Sequence, residues 1–581
     1  MKHRIYYIYT ILCLCCGTLY SQNTDSLQTK FIETLPAEDI QVVFNKNMLL
    51  AGETLYYKLY CLLQKDNALS DLSKMAYVEL VGKQNGVIFN HKLKLVNGQG
   101  YGDFFIPATL KTGNYKLIAY TQWMQNSKVN TYVEKDLYII NPYISQVAEL
   151  ENKDLLGASV SLKNDELSIS EIKKNASLNV VDKTYKPRSK VKFNFSESSL
   201  HGSFTLSVNR MSNLSLSLDE KHLSEADNDN TVEEFYLPEL RGEIISGKVY
   251  HKNNGLIAPN KTIALSIPGK NYIQKTVEVD AKGKFYFNIH ENYSTEDCVL
   301  QIIDSKPANF KIVLDDKSFK NKSALLFRQL TLNPNIEEWL AEESVLNQVE
   351  NAYVDLKLDR IDEKDLKDDF FGNPSIIYKL DDYKRFPSLR ETFIEVIEGV
   401  GIRKRSDGYH FEVFSYKETV NSALKNYDPL VLLDGVLIQD NQYLIDYNPY
   451  DIEQIGLIRA GYFYGPQMYF GIIDIRTKKA TKGTYFNFHD IEGLHHLKLN
   501  LPNENKTYYT PDYDLRLNAL KRIPDFRRQL LWKPNLDTNK NMESIECYTS
   551  DVEGIYEVSL KGYTKTGTYV DLKDYFEVSA N

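Results

Sequence analysis

The chain has 581 residues and a formal net charge of −9. A surface of that sign argues against broad binding to nucleic acid or anionic lipid, both of which need basic faces. Tyr (41) and Phe (26) are abundant, Met (7) and Cys (6) are scarce, and alternating patterns recur, which favours small β-sandwiches in series over one large enzyme core.

Lys2 and Arg4 precede an apolar run over 5–19, and Ser21-Gln22 follows. A basic start, a short apolar middle and a small residue at the exit describe an export leader, 1–21, too short for a comfortable spanning helix. Cys13, Cys15 and Cys16 lie in this run, but Leu14 and Cys15 fit poorly as the small residues that precede a lipidated cysteine. Processing would remove two basic residues and leave Cys61, Cys298 and Cys547. These are odd in number and far apart, so neither a disulfide framework nor a metal cluster is expected. No later apolar segment is long enough for a transmembrane helix in the mature chain. At about 100–200 residues per domain, about four to six domains are expected.

Strand patterns over 40–44, 54–61, 77–81, 92–96, 102–106 and 114–121 predict a first sandwich within 22–140, with turns at Asn97-Gly98 and Thr112-Gly113. Tyr120, Trp123 and Tyr132 are expected to close its core. Asn141-Pro142 ends it. A second, smaller sandwich is predicted in 141–235 from runs at 167–172, 178–181, 190–195 and 203–208, followed by a polar, acidic linker over 217–234. That linker lacks the glycine and the bidentate glutamate spacing of a calcium loop. Runs at 244–250, 262–267, 275–279, 285–289 and 299–303 predict another sandwich in 236–320.

The pattern shifts towards helix in 321–387, with Pro334 opening a helix towards Val354. In 388–480, Ser388-Leu389-Arg390-Glu391 is a capping box for a helix carrying Leu389, Phe393, Val396 and Ile397 on one face, and Gly399 stops it. Asp434-Gly435 between two apolar runs predicts a type I′ hairpin, because glycine tolerates φ > 0. Residues 451–459 are ambiguous between strand and helix, and 471–477 is a β-branched strand. Arg403, Lys404 and Arg405 form a short basic cluster, expected as a solvated edge. The tail, 481–581, carries strands at 544–548, 554–562 and 571–578, and with Tyr509-Thr510-Pro511-Asp512-Tyr513 and Trp532-Lys533-Pro534-Asn535 it resembles a closing immunoglobulin-like sandwich.

Several of these stretches resemble known families. Ala51-Gly52-Glu53 leading into Tyr56-Tyr57-Lys58-Leu59-Tyr60, then Gly102-Asp103-Phe104 to Pro107, and Ala119-Tyr120-Thr121-Gln122-Trp123-Met124-Gln125-Asn126, resemble the second macroglobulin-type (MG2) domain. Asp280, Gly283, Phe285 and Phe287 resemble the hairpin of carboxypeptidase regulatory-like domains, which carry no peptidase chemistry. The order Pro429-Leu430, Asp434-Gly435, Ile452-Glu453, Tyr464-Gly465 and Gly471 to Lys478 resembles the plug domain of TonB-dependent outer-membrane receptors. Together they resemble exported multidomain proteins of Bacteroidota that couple an MG2 domain to a plug-like domain. The fold implied is mainly β: serial macroglobulin- and immunoglobulin-like β-sandwiches with one small α+β plug-like domain at 388–480. A plug-containing receptor barrel needs about 22 strands, which the tail cannot supply.

No His-Glu-x-x-His, Gly-x-Ser-x-Gly or phosphate loop occurs, and beyond the leader no Cys-x-x-Cys and no Cys-Gly-Glu-Gln thioester motif occurs. His489, His495 and His496 are expected as loop histidines. The expectation is a non-enzymatic binding or scaffold protein without cofactor, exported to the periplasm or outer membrane. It would dock on an outer-membrane protein, such as a TonB-dependent or other barrel. The alternative is a plug-bearing accessory subunit of a TonB-dependent uptake system. Asp434, Gly435, Gly465 and Gly471 are expected to set turns, and Arg403, Lys404 and Arg405 to be the candidate contact.

Overall fold

The computed structural model describes residues 34–580 except 84–85, 128–130, 145–155, 164–177, 196–200, 220–234, 270–271, 363–370, 407, 416–426, 466, 482–492, 515–519 and 538–544. The leader, the strand expected at 167–172, most of the acidic stretch and His489 lie outside these residues. The described chain is mainly β, and none of its sheets closes into a barrel. It divides into two compact units. One comprises Met1–Leu240, Phe319–Asp362 and Pro502–Asn581, the other Arg241–Ser318 and Glu363–Leu501.

The first unit opens with the expected sandwich. One sheet orders its strands Glu38–Phe44, Thr54–Leu63, Gln99–Phe105. The facing sheet runs Met48–Leu50, Val133–Ile140, Gly113–Tyr120, Met75–Gly82, Gly86–Lys94. Alternation puts Leu55, Tyr57, Leu59 and Cys61 into one core with Val78, Leu80, Leu117 and Ala119. Each valine or leucine among them contributes about 1.5–3 kcal/mol by leaving water.

The opposite faces of these sheets read as solvent faces but are buried. Tyr77 and Tyr120, with ring centroids 5.5 Å apart, are covered by Phe319, Leu325 and Phe327, and Tyr120 donates its hydroxyl to the buried Glu79. Tyr132 packs on Phe319 at 4.4 Å, and Trp123 meets Phe235 edge-on. The aromatic group expected to close the sandwich core therefore lies on its outer side, beneath a returning segment.

A second reversal concerns the two smaller sandwiches expected at 141–235 and 481–581. Their strands form a single one. Gly202–Arg210 lies between Gln529–Asp537 and Gly554–Thr564, Tyr569–Val578 follows, and Thr184–Tyr185 ends that sheet. The other sheet is Leu178–Val180, Lys190–Phe195, Ile545–Tyr548. Phe193, Phe204, Leu206 and Val208 share their core with Leu530, Cys547, Val558 and Phe576. Local periodicity located most of these strands but holds no information on which distant strand pairs with which. At the entry to one of them, the buried Tyr556 donates to the Val552 carbonyl at 2.8 Å and pins the preceding loop.

The first sandwich packs against this composite one through Tyr56, Tyr60, Leu62, Tyr101, Tyr508, Trp532 and Tyr563. Lys58 lies on the same face, fully buried. Its ammonium group donates to the Pro534 carbonyl at 2.5 Å and to Ser203 Oγ and Asn535 Oδ1, both at 3.2 Å. Burial pushes its pKa down to about 7 from an ordinary 10.5. Above about 10.5 neither folded nor unfolded chain holds this proton. As pH falls from there to 7, the unfolded chain binds a proton that the folded chain does not, so stability drops. Below 7 the penalty is complete. At about 1.4 kcal/mol per unit it exceeds the ~1 kcal/mol net value of a hydrogen bond. Lys58→Met is therefore expected to raise the unfolding midpoint at neutral pH and to flatten the rise in stability between pH 7 and 10. Chemical denaturation across that range measures both.

The region expected as helical or linker belongs to this unit. Asn333 caps a short turn, and the helix Glu337–Ala352 follows. It turns its amides inward: Asn347 and Asn351 each donate at 2.9 Å, to the carbonyls of Ala51 and Gly52. The three thiols sit in separate cores. Cys61 is in the first sandwich, Cys547 in the composite one and Cys298 in the second unit; all are free, and burial raises each thiol above its ordinary value.

In the second unit, a sandwich pairs Lys284–Ile289, Glu243–His251 and Phe310–Leu314 against Ile273–Glu278, Thr262–Ile267, Asp297–Ile303 and Leu494–Lys498. His495 and His496 thus stand on a strand beside Leu300 and Val299, not in a loop. A mixed five-stranded sheet, Ile376–Lys379, Ile452–Tyr464, Gln467–Thr477, Leu430–Leu433, Val436–Leu437, is covered on both faces. Leu430, Leu432 and Ile472 face Ala264 and Tyr272 of the sandwich, whereas Val431, Leu433, Ile473 and Ile475 face Leu389, Phe393 and Phe411. Burial on both faces is why these strands are nearly continuous apolar runs rather than alternating ones. The ambiguous stretch 451–459 is strand from Ile452 onward.

Candidate functional site

The Asp434-Gly435 turn sits where the three layers of the second unit meet. Leu433 pairs with Val436, and Asp434 (φ 50°) and Gly435 (φ 85°) fill the two left-handed positions of the hairpin. The Asp434 carboxylate accepts the Thr477 amide and the Thr477 hydroxyl, each at 2.7 Å. The hairpin is thereby tied to the last residue of the Gln467–Thr477 strand. Burial raises the Asp434 carboxyl above its ordinary value, with the two Thr477 bonds pulling against it.

Gly435 carries the ring of Tyr272. A Cβ there would lie 2.1 Å from Tyr272 Cγ and 2.3 Å from Tyr272 Cβ. The Tyr272 hydroxyl donates to Asp474 at 2.9 Å, and the Arg476 guanidinium, paired with Asp474 at 2.8 Å, covers its ring. Gly465, at the far end of the long hairpin, lies against Thr276 of the same sandwich sheet, where a Cβ would come 2.1 Å from the hydroxyl. A Cβ at Gly471 would come 2.6 Å from Val413 Cβ of the outer layer. Gln301 and Gln439 complete the seam: Gln301 donates to the Leu437 carbonyl, and Gln439 to Gln301 Oε1 and the Ile302 carbonyl, all at 2.9 Å. Gly435 and Gly465 sit in turns as expected, but Gly471, expected to set a turn, lies inside the strand Gln467–Thr477, with positive φ (96°) where its register against Ile452–Tyr464 shifts. That all three are also close-approach points depends on Tyr272, Thr276 and Val413, which no motif marks.

Arg403, Lys404 and Arg405 lie on the strand Val400–Arg405, hydrogen-bonded to Gly408–Val413. Arg403 pairs with Glu412 at 3.2 Å, and Arg405 with Glu412 at 3.5 Å and Asp428 at 2.9 Å. Lys404 reaches back over the Tyr409 ring, which Arg390 also approaches. The cluster is an ion-paired ladder rather than a bare basic face.

In the first unit, a narrow cleft of about 40 Å³, room for a water or two, is lined by Lys46, Glu53, Arg210, Trp339, Glu343 and Arg528 among others. Arg210 and Arg528 both pair with Glu343, and Lys46 pairs with Glu53 at 2.7 Å. Burial would raise the Glu53 carboxyl, but Lys46, Arg528 and the Leu50 amide outweigh it and hold it below the ordinary range. Helix, first sandwich and composite sandwich are clamped together here by charge. Among the described residues no three His, Cys, Asp or Glu side chains are placed to hold a metal ion. No described helix is long and apolar enough to cross a membrane.

No protein-family model matches the sequence, and no curated protein does. Among solved structures, it aligns with a mutant Salmonella alpha-2-macroglobulin and with native E. coli alpha-2-macroglobulin. Each is 10% identical with TM-score 0.23, over 94% of this chain and 40% of that one. A tetra-tandem repeat from the extending region of a large adhesion protein aligns at 11% identity and TM-score 0.13, over 48% of this chain and 73% of that one. The chain spans about two fifths of the length of the alpha-2-macroglobulins it matches, and at these scores the likeness supports no inference about function.

Proposed function

We propose that the chain is a non-enzymatic exported scaffold, in which MG2-like and regulatory-like sandwiches carry a plug-like module to an outer-membrane protein. The observation that carries this reading is how the signature residues of the plug-like module are used. Asp434 ties down Thr477, Gly435 seats Tyr272 and Gly465 seats Thr276. These residues fix the module to the adjacent sandwich sheet, as a scaffold needs and a gating element does not. The chain's buried carboxyl groups support the same reading: Asp474, Glu343 and Asp525 are each paired with an arginine, and Asp434 is hydrogen-bonded to Thr477. Cross-linking in intact cells followed by mass spectrometry tests it. Recovery of an outer-membrane barrel protein linked to lysines of 376–479 is the expected result, and linkage to none removes the proposal. Loss of uptake of a substrate on deleting the chain would move the reading to an accessory subunit of TonB-dependent uptake.

A further inference from the structure

Among the described residues, a small sheet in the first unit has an open edge. Its strands run in the order Leu214–Leu218, Gly157–Leu162, Gln329–Leu332, with the first pair antiparallel and the second parallel. The Lys163 amide donates to the Asn213 carbonyl at 2.8 Å and the Asp219 amide to the Gly157 carbonyl at 3.2 Å. The bonded positions on the first strand are therefore 213, 215, 217 and 219. The backbone groups of Leu214, Leu216 and Leu218 point the other way, out of the sheet. On that side the Leu214 amide is taken by Ser212 Oγ at 3.1 Å. The Leu216 amide and carbonyl meet no partner among the described residues.

Natural edge strands are usually blunted by a lysine, a proline or a bulge. This one has none: it reads Leu-Ser-Leu-Ser-Leu. Leu214 and Leu216 turn inward towards a cluster that includes Val160, Ile336, Trp339 and Leu340, while Leu218, on the same face, is 45% exposed. The strand that fits such an edge is extended and uncharged, with apolar residues alternating with small polar ones. The chain itself supplies that strand, because Leu-Ser-Leu-Ser-Leu reads the same in both directions.

We propose that Leu214–Leu218 pairs antiparallel with the same strand of a second copy, about a twofold axis through Leu216. In that register the two Leu216 residues exchange both backbone hydrogen bonds, and Leu214 of each copy lies opposite Leu218 of the other. The twofold axis stands perpendicular to the sheet, so the inward leucines of both copies stay on one face and the exposed Leu218 gains an apolar neighbour. The arrangement is isologous, closes at two copies and leaves no further edge of this kind. Five residues a side bury far less than the ~1,200 Å² of a stable interface. The pairing is therefore weak and concentration-dependent, and it forms where many copies share a confined space.

Sedimentation velocity of the purified exported chain over a range of concentrations should show a reversible monomer–dimer equilibrium. Leu218→Lys, at an exposed position, should weaken it by about tenfold or more by setting a charge against Leu214 of the other copy. The register is tested by oxidative cross-linking. Leu216→Cys alone should form a dimer, because only position 216 faces itself. Ser215→Cys and Ser217→Cys should cross-link when mixed and much less when separate. The native cysteines are buried and do not interfere. A monomer at every concentration overturns the proposal, as does a dimer indifferent to Leu218→Lys. Equal cross-linking at all three positions, or cross-linking only to a different protein in cells, overturns it as well.

Discussion

Deleting residues 529–581 is expected to unfold residues 178–210 as well, although they lie more than 300 positions away. Gly202–Arg210 has one neighbour in Gln529–Asp537 and the other in Gly554–Thr564, so the deletion removes both. Phe193, Phe204, Leu206 and Val208, all fully buried, would lose the opposite half of their core. At about 1.5–3 kcal/mol for each large side chain returned to water, the loss is comparable to the ~5–15 kcal/mol that holds a typical domain together. The damage extends further, because Lys58, Tyr60 and Tyr101 of the first sandwich are covered by the composite one. Limited proteolysis should cut within 178–210 in the truncated chain and spare it in the full one. Protection of that segment after truncation would show that it folds alone and would contradict the pairing.

The second large effect is expected at Gly435. Gly435→Ala places a Cβ within 2.1–2.5 Å of three Tyr272 carbons at a φ of 85°. The tyrosine cannot swing clear without breaking its bond to Asp474 and its stack with Arg476. Strain at the turn costs about 1–2 kcal/mol, and overpacking about 1–3 kcal/mol more. Gly255→Ala and Gly372→Ala supply the comparison, since both have positive φ and nothing within 4 Å of the added carbon. Thermal unfolding should show a lower midpoint for Gly435→Ala than for either control. Equal midpoints would mean that Tyr272 is not seated on the turn. Asp434→Asn should be milder, because an amide oxygen can still accept from Thr477.

Much of the secondary structure is legible in the sequence. The strands of the first sandwich follow from period-two alternation, and the helix Leu389–Glu395 from its Ser388 cap, whose hydroxyl accepts the Glu391 amide. The Asp434-Gly435 hairpin follows from the conformations its two residues tolerate. What the sequence hides is what lies against each face. Tyr56, Lys58 and Tyr60 alternate with core residues as a solvated face would, yet they are covered by strands from the other end of the chain. Tyr120 and Tyr132 look like core closers and are instead roofed by Phe319. The site is legible to the same depth. Glycines at 435 and 465 mark turns, whereas Gly471 lies inside the strand Gln467–Thr477, and Tyr272, Thr276 and Val413, against which the three glycines pack, carry no motif. Burial by a distant segment leaves no local period.

The composite sandwich also sets a clock on maturation. A chain synthesised from its N-terminus presents Leu178–Val180, Lys190–Phe195 and Gly202–Arg210 long before Gln529–Asp537 arrives to pair with them. During that interval three apolar strands have unpaired edges, the condition under which β-chains aggregate or pair wrongly. Closure of so long a loop is slow, because the entropy of bringing its ends together is lost before any contact rewards it. The second unit, whose two segments lie between these halves in sequence, shortens the search when it folds first, because a compact body replaces much of the flexible chain that must close.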